Sequence, residues 1–233
     1  MRDATHITIV MDRTGSMADV KSDAQGAVNH FIEEQKKVEG DCSLLFIDFD
    51  SDAPQQIIYD GPLADMHTYV LRPRNSTPLL YAVGKAIDNT GERLAAMPED
   101  ERPDKVIFVI QTDGLENHSQ YLPEHPYTWD HVRSMIKTQI EQYGWQIIFL
   151  GMGSDSWGQG ERLGVVMNVS SAATGQSHHS TQDTMSTYAT AYRGGVTNDM
   201  SGMRGTTVNA QGQVFNEQGE EIDPTTGRPF ASA

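Results

Sequence analysis

Residues 12 to 16, Asp-Arg-Thr-Gly-Ser, place one carboxylate and two hydroxyls at alternate positions of a polar turn. The turn directly follows an apolar run over residues 7 to 10, which is typical of a strand buried on both faces of a parallel sheet. Ligands bind at the carboxyl ends of such strands, because the loops converge there. Asp12, Thr14 and Ser16 therefore present hard oxygen donors of the kind that Mg²⁺, Mn²⁺ and Ca²⁺ prefer. The alternative is structural, with the hydroxyls capping the next helix and Asp12 accepting backbone amides in the turn.

Two distant residues have the same chemistry. Thr77 precedes Pro78 and an amphipathic segment over residues 79 to 94, so it fits the N-cap of a helix that begins at Pro78. Asp113 follows residues 105 to 110, the most hydrophobic run of the chain, and is a second carboxylate at the end of a second buried strand. Thr77 could therefore cap this helix or bind a metal ion.

The elements that position these residues alternate along the chain. Hydrophobic patterning predicts strands over residues 7–10, 43–49, 55–59, 105–110, 146–150 and 164–169. It predicts helices from about Ala18 to Gly40, Leu79 to Leu94, Trp129 to Gly144 and Thr181 to Tyr192, with a short segment around Arg162. Such alternation predicts an α/β fold with a doubly wound, mostly parallel central sheet and helices on both faces. We expect residues 55–59 to form one antiparallel edge strand.

A change of composition predicts a domain boundary. Residues 1–193 form the predicted domain, whereas residues 194–233 are rich in Gly, Thr, Asn, Gln and acidic residues and make a poor core. Within this extension a small hairpin could turn near Gln218 and Gly219. The extension is either mobile or packed on a partner.

Size and charge exclude several classes of protein. The 233 residues carry 32 acidic and 17 basic side chains, and the net charge of −15 repels nucleic acids and anionic membranes. No run approaches the roughly 18 apolar residues of a membrane span. The N-terminus enters a strand almost at once, so we expect a cytoplasmic protein. Cys42 is the single cysteine, which excludes an internal disulfide and a multi-cysteine zinc site.

A second acidic stretch has the spacing of a calcium loop but lacks its other requirements. Asp48, Asp50 and Asp52 alternate, yet the sixth position is Ala53 instead of Gly and the twelfth is Tyr59 instead of Glu. We therefore do not predict a calcium loop here. Asp48 or Asp50 could still support the metal ligands if this strand ends at the same edge of the sheet.

Taken together, Asp12-Arg-Thr-Gly-Ser, Thr77-Pro-Leu and Thr112-Asp-Gly resemble the metal ion-dependent adhesion site of von Willebrand factor type A domains. That family combines an Asp-x-Ser-x-Ser turn, a distant Thr and a distant Asp on a doubly wound sheet. The resemblance covers about residues 5 to 193, and three motifs in this order are far more specific than one. This chain departs from the family pattern in having Thr14 where Ser is usual, which puts affinity and metal preference in doubt more than the site itself.

The resemblance implies a role for each residue. Ser16 and Thr14 would bind the cation directly, Thr77 directly or through water, and Asp12 and Asp113 through water or directly. The expected cofactor is Mg²⁺, with Mn²⁺ and Ca²⁺ as alternatives, because Mg²⁺ needs few carboxylates and retains water. A partner's carboxylate could then complete the octahedron.

The resemblance also implies a function, and two alternatives accompany it. The first hypothesis is a non-catalytic module that captures an Asp or Glu of a partner protein through the cation, with an oligomeric state that the sequence does not specify. Similar family members occur in bacteria and phages, so the second is an assembly component, such as a phage particle protein, that docks through residues 194–233. The third is a metal-dependent phosphohydrolase with Asp12 as nucleophile. The haloacid dehalogenase-like pattern, however, needs a second Asp where Thr14 stands.

Overall fold

The protein is described by a computed structural model that covers residues 4–123, 125–152, 157–165, 167–171, 177–195, 207–208, 213–216, 220–223 and 228–230. The strands of the main sheet are β1 (Thr5–Asp12), β2 (Cys42–Phe49), β3 (Gln56–Pro62), β4 (Lys105–Thr112), β5 (Gln146–Met152) and β6 (Met167–Ser171). The helices are α1 (Lys21–Lys36), α2 (Leu79–Ala96), α3 (Trp129–Tyr143), α4 (Trp157–Leu163) and α5 (Ser177–Arg193). A small sheet contains β7 (Thr207–Val208), β8 (Val214–Phe215) and β9 (Glu221–Ile222).

The main sheet is doubly wound. Its six strands lie in the order β3-β2-β1-β4-β5-β6, and the chain progresses outwards from β1 in both directions. β1, β2, β4, β5 and β6 are parallel, whereas β3 pairs antiparallel with β2 at one edge. The predicted fold class, including the antiparallel edge strand, is confirmed.

Two apolar layers cover the sheet because its central strands are hydrophobic on both faces. On β1, Ile7, Ile9 and Met11 share one layer with apolar side chains of α1 and α5. Val10 faces the other layer, which is built from α2, α3 and Leu163 of α4. Both layers are buried, so the sheet forms a rigid platform for the loops at its carboxyl edge.

The predicted start of the first helix and the predicted N-cap of the second are wrong. The first helix begins at Lys21 and not near Ala18, because a short 3₁₀ turn over Gly15–Ala18 comes first. In this turn the amides of Met17 and Asp19 donate to carbonyl groups three residues back, which postpones the α-helical pattern. The second helix begins at Leu79 with Pro78 preceding it, so Thr77 is not its N-cap.

The C-terminal elements are shifted relative to the prediction. β6 covers Met167–Ser171 instead of residues 164–169, because Gly164 has a φ of +73° and ends α4. The last helix begins at Ser177, four residues before the predicted start.

The extension contributes to the core of the domain. β8 and β9 pair antiparallel, as the two strands of a hairpin do, and residues 217–219 between them lie outside the described residues. Val214 and Ile222 are each 1% exposed and belong to the same apolar layer as α1 and α5. The boundary after residue 193 stays a prediction.

Candidate metal centre

Adjacent parallel strands bring the two carboxylates to one edge of the sheet. Asp12 is the last residue of β1, and Asp113 directly follows Thr112, the last residue of the neighbouring strand β4. The Thr112 hydroxyl donates a hydrogen bond of 2.5 Å to Asp12 Oδ2, and the Thr14 amide donates one of 2.7 Å to Asp12 Oδ1. The orientation of the Asp12 carboxylate is therefore fixed from two sides.

Three hydroxyls connect the loops around these carboxylates. The Thr77 hydroxyl donates to Thr14 Oγ1 over 2.9 Å, and Thr14 Oγ1 lies 3.4 Å from Ser16 Oγ. The Ser16 hydroxyl in turn donates to Asp113 Oδ1 over 2.8 Å. The structure thus brings together all five residues that the sequence singles out. We call this group, Asp12, Thr14, Ser16, Thr77 and Asp113, the candidate metal centre.

Backbone hydrogen bonds around Thr77 direct its hydroxyl towards Thr14, so that it does not cap α2. The Thr77 amide donates to Asn117 Oδ1, and the Thr77 carbonyl accepts from the Asn117 amide. On the other side, the Gly15 amide donates to the Asn75 carbonyl over 2.9 Å. These bonds join the loop before α2 to both the β1 turn and the β4 loop, so the hydroxyl can reach Thr14.

Burial makes the charge at this centre costly. Asp12 is 0% exposed, and burial raises the pKa of its carboxyl to about 7, although the hydrogen bonds from Thr112 and Thr14 lower it. Burial also raises the pKa of the Asp113 carboxyl, against the hydrogen bond from Ser16. Within the described part of the chain no ion pair joins either carboxylate to a basic side chain. A cation would supply the missing positive charge.

The spacing of the oxygens fits a small hard cation. Mg²⁺ binds oxygen at about 2.1 Å in an octahedron, so neighbouring ligand oxygens lie about 3 Å apart. The contacts of 2.8, 2.9 and 3.4 Å between hydroxyl and carboxylate oxygens are close to that separation. A Cβ on Gly114 would lie 3.1 Å from Thr77 Oγ1 and 3.2 Å from Ser16 Oγ, so glycine leaves room beside the donors. The donor set therefore fits the expected metal.

The chemistry of the donors also narrows the class of metal. Among the described residues, no three His, Cys, Asp or Glu side chains are grouped as a metal-binding cluster. The candidate metal centre combines only two carboxylates with neutral hydroxyls. Such a set suits a cation that retains water ligands better than it suits zinc, which prefers His and Cys.

Sequence reasoning missed the residues that hold the β4 loop. Glu116 accepts hydrogen bonds from the amides of Leu80, His118 and Ser119 and thereby caps the N-terminus of α2. Gln159 of α4 accepts from the Glu116 amide and donates to the Gly114 carbonyl. The bonds that tie this loop to α2 and α4 have no local sequence signal, because Leu80 and Gln159 are distant from the loop in the chain.

The alternating aspartates form a turn and an ion-pair cluster. Asp50 Oδ1 accepts from the amides of Asp52 and Ala53, as in an Asx turn. Asp48 and Asp50 also flank the guanidinium of Arg13, which lies between Asp12 and Thr14 in the chain. Through their contacts with Arg13, Asp48 and Asp50 therefore lie beside the candidate metal centre, as expected for residues that support it.

Comparison with protein-family models and with the sequences of curated proteins finds no match. Comparison with solved structures does. The structure of a von Willebrand factor type A protein from Catenulispora acidiphila matches 88% of this chain with a TM-score of 0.53 at 12% identity. The fold is that of a von Willebrand factor type A domain.

Other structures with this fold are also similar. Proximal thread matrix protein 1 from the mussel byssus matches 78% of the chain with a TM-score of 0.53 at 13% identity. The pilus adhesin SpaC from Lactobacillus rhamnosus GG matches 81% with a TM-score of 0.55 at 11% identity. This chain covers 44%, 45% and 30% of the three proteins, so it spans less than half the length of each.

The described helices were compared with the length and hydropathy of a membrane span. None of them is both long enough and apolar enough to cross a bilayer.

Proposed function

We propose that this von Willebrand factor type A domain is a non-catalytic binding module that captures an acidic side chain of a partner protein through a divalent cation. The observation that carries the proposal is the convergence of three hydroxyls and two unpaired carboxylates at one edge of the sheet. A cytoplasmic location and Mg²⁺ as the preferred cation, before Mn²⁺ and Ca²⁺, are parts of the same proposal.

The proposed ligands divide into two groups. The hydroxyls of Thr14, Ser16 and Thr77 would bind the cation, with Asp12 and Asp113 holding it directly or through water. With neutral hydroxyls as direct donors and two carboxylates that act directly or through water, the cation would remain under-neutralised. A bound cation would offer a coordination position to the partner, and a carboxylate is the protein group that suits a hard cation best.

The proposal of a protein partner is supported by an adhesin with a similar fold. SpaC is named as a pilus adhesin and shares the fold with this chain, although at 11% identity. The net charge of −15 argues against nucleic acid as the partner. It also favours the local accumulation of cations near the site.

Catalysis has weaker support. At the position where a haloacid dehalogenase-like phosphatase needs an Asp as general acid, this chain has Thr14, which is 0% exposed and whose hydroxyl accepts a hydrogen bond from Thr77. The phosphohydrolase alternative requires turnover of a generic phosphate ester that disappears in Asp12→Ala. The assembly alternative is not favoured by the extension, because Val214 and Ile222 are buried in the domain's own core.

The proposal is tested by calorimetric titration of Mg²⁺ and Mn²⁺ into metal-stripped protein. We expect wild type to bind one ion and Thr77→Val to bind it at least about 100-fold more weakly, because the side chain keeps its shape and loses the donor oxygen.

Thr90→Val is a matched control. Thr90 is also buried, and its hydroxyl bonds to that of Thr8 over 3.0 Å, much as Thr77 bonds to Thr14. The control should bind the ion as wild type does. Equal affinity of wild type and Thr77→Val, or an equal loss in both variants, would contradict the assignment of the ligands.

A further inference from the structure

The loop that leads to Thr77 carries two exposed arginines. Arg72 is exposed and forms no ion pair with the described residues. The side chain of Arg74 is 50% exposed and pairs with Asp50. In a chain with 32 acidic and only 17 basic side chains, two arginines on one exposed loop form a local positive patch. We call Arg72 and Arg74 the arginine rim.

A backbone hydrogen bond attaches the arginine rim to the turn of the candidate metal centre. The Arg74 amide donates to the Arg13 carbonyl over 2.8 Å, and Arg13 lies between Asp12 and Thr14 in the chain. Since consecutive Cα atoms are about 3.8 Å apart, the backbone of Arg74 lies within roughly 10 Å of the backbones of these two proposed ligands. An extended peptide covers that distance with about three residues.

Asp50 holds the guanidinium of Arg74 through one nitrogen. Arg74 Nε donates to Asp50 Oδ2 over 2.7 Å, whereas its Nη1 and Nη2 form no hydrogen bond with the described residues. The hydrogen bond to Asp50 raises the pKa of Arg74, and the charge of the exposed Asp52 does so less strongly, although Asp52 forms no ion pair with it in the described part of the chain. The guanidinium is therefore held in place while two of its nitrogens face water.

The ion-pair cluster behind Arg74 shows only its positive side to solvent. Arg13, Asp48 and Asp50 are buried, at 8%, 3% and 0% exposure, so Arg74 is the exposed member. Asp50 Oδ2 is also shared, because Arg13 Nε and Arg74 Nε each lie 2.7 Å from it. An anion that approaches this side of the cluster therefore meets the guanidinium of Arg74 first.

We propose that the partner segment captured at the metal centre carries a second carboxylate, which binds Arg74 at the arginine rim. The inference rests on the proposed function and specifies an acidic peptide of the form Asp-x-Asp as the partner. Side chains at alternate positions of an extended peptide point the same way and lie about 7 Å apart, which suits two neighbouring sites on one surface. The two terminal nitrogens of a guanidinium can bind one carboxylate in a bidentate manner.

Two peptides that differ by one carboxylate test the inference. Ac-Gly-Asp-Gly-Asp-Gly-NH₂ and Ac-Gly-Asp-Gly-Asn-Gly-NH₂ are titrated into the protein in saturating Mg²⁺ and again in chelator, with binding followed by NMR. In Mg²⁺ we expect the diacidic peptide to bind about fivefold more tightly than the monoacidic one. The net charge of −15 acting alone would favour the less acidic peptide and so give the opposite order.

Variants separate the arginine rim from the attraction of the cation for any second carboxylate. Arg74→Gln should reduce the fivefold preference to less than about twofold, because the second carboxylate loses its partner. Arg102→Gln is the matched control, since it removes the same exposed charge just before Lys105, where β4 begins at the opposite edge of the sheet. This control should keep the preference of wild type.

The outcomes distinguish failure of this inference from failure of the metal centre. Equal Mg²⁺-dependent binding of both peptides to wild type would overturn the inference and leave the metal centre in place. An unchanged preference in Arg74→Gln, or an equal loss of preference in Arg102→Gln, would likewise overturn it. No Mg²⁺-dependent binding of either peptide up to about 10 mM would contradict the proposed function, and the inference with it.

Discussion

Strand β1 carries a polar cluster near each of its two ends, and the two clusters use similar hydroxyls for different purposes. Near its start, His6 Nδ1 lies 2.8 Å from Ser43 Oγ and His6 Nε2 lies 3.1 Å from Thr8 Oγ1. Thr8 Oγ1 also lies 3.0 Å from Thr90 Oγ1. We call these four residues the histidine cluster. At the other end of the strand, the candidate metal centre joins its oxygens over almost the same distances.

Charge distinguishes the two clusters. Burial, helped by the positive charge of Arg93, lowers the pKa of His6 to about 4, so the histidine cluster is neutral at pH 7 with both ring nitrogens bonded. The candidate metal centre instead retains Asp12, whose pKa burial raises to about 7, and a second carboxylate beside it. A cluster that only stabilised the fold would not need these acids. The comparison teaches that the two carboxylates, rather than the hydroxyls, distinguish the end of the strand where we propose the metal site from the other end.

The largest expected effect comes from removing that charge with Asp12→Asn. In chelator at neutral pH this variant should be more stable than wild type by roughly 1 to 3 kcal/mol, because it removes a buried charge without an ionic partner. Saturating Mg²⁺ should stabilise only the wild type, by about 4 kcal/mol at 1,000 times its dissociation constant. Thermal unfolding with and without Mg²⁺ measures both effects. If Mg²⁺ stabilised the variant as much as wild type, Asp12 would not contribute to Mg²⁺ binding.

The histidine cluster should respond to pH instead of metal. Because the pKa of His6 is about 4 in the folded protein and 6.5 ordinarily, the unfolded chain binds more protons between these values. The contribution of His6 to stability is therefore complete above pH 6.5 and decreases by about 1.4 kcal/mol per pH unit as the pH falls towards 4. Denaturant unfolding of wild type and His6→Gln from pH 7 to pH 4 should show a steeper decrease for wild type. Parallel curves would contradict the neutral histidine.

Crowding the oxygens should weaken the metal centre without unfolding it. In Gly114→Ala the new Cβ would lie 3.1 Å from Thr77 Oγ1 and 3.2 Å from Ser16 Oγ, which is tighter than ordinary contact. We expect about a tenfold loss of Mg²⁺ affinity, or about 1.4 kcal/mol, measured by calorimetry.

Gly91→Ala is the matched control for that variant. Its Cβ would meet no atom within 4 Å on α2, so it should keep the affinity and gain up to about 1 kcal/mol of stability. A Gly114→Ala protein with wild-type affinity would show that the donors are not confined.

The smallest effect is expected from Thr14→Ser, which keeps the hydroxyl and removes a methyl group. Thr14 is 0% exposed, so the lost burial should cost about 0.8 kcal/mol of unfolding free energy. Mg²⁺ affinity should change by less than about threefold, because the donor oxygen remains. Calorimetry and denaturant unfolding of the same sample separate the two effects. A larger change in affinity would mean that the methyl group sets the metal preference.

Much of the fold and the grouping of the site residues could be predicted from local patterns. β1, β4 and β5 each contain an apolar run, and each breaks into a polar or glycine-rich loop at its carboxyl end. Parallel pairing of β1 with β4 then necessarily places Asp12 near Asp113. That juxtaposition follows from sheet topology and needs no knowledge of side-chain contacts.

The residues that hold the loops could not be predicted in this way. Glu116 bonds to Leu80, and Gln159 bonds to Gly114, over 36 and 45 positions of the sequence. Such pairs depend on how helices dock against the sheet, which periodicity does not specify. The predicted N-cap of α2 was wrong for the same reason. Thr77 bonds to Thr14, which lies in another loop, instead of capping the helix that follows it.

The central position of β1 has a mechanical consequence. A partner held at Asp12 would pull on a strand that is bonded along its length to parallel neighbours on both sides, β2 and β4. Tension along the strand axis would load these hydrogen bonds together in shear, whereas the same tension on the edge strand β3 would meet only one neighbour. The proposed attachment point would thus lie on a strand that resists extraction more strongly than an edge strand does.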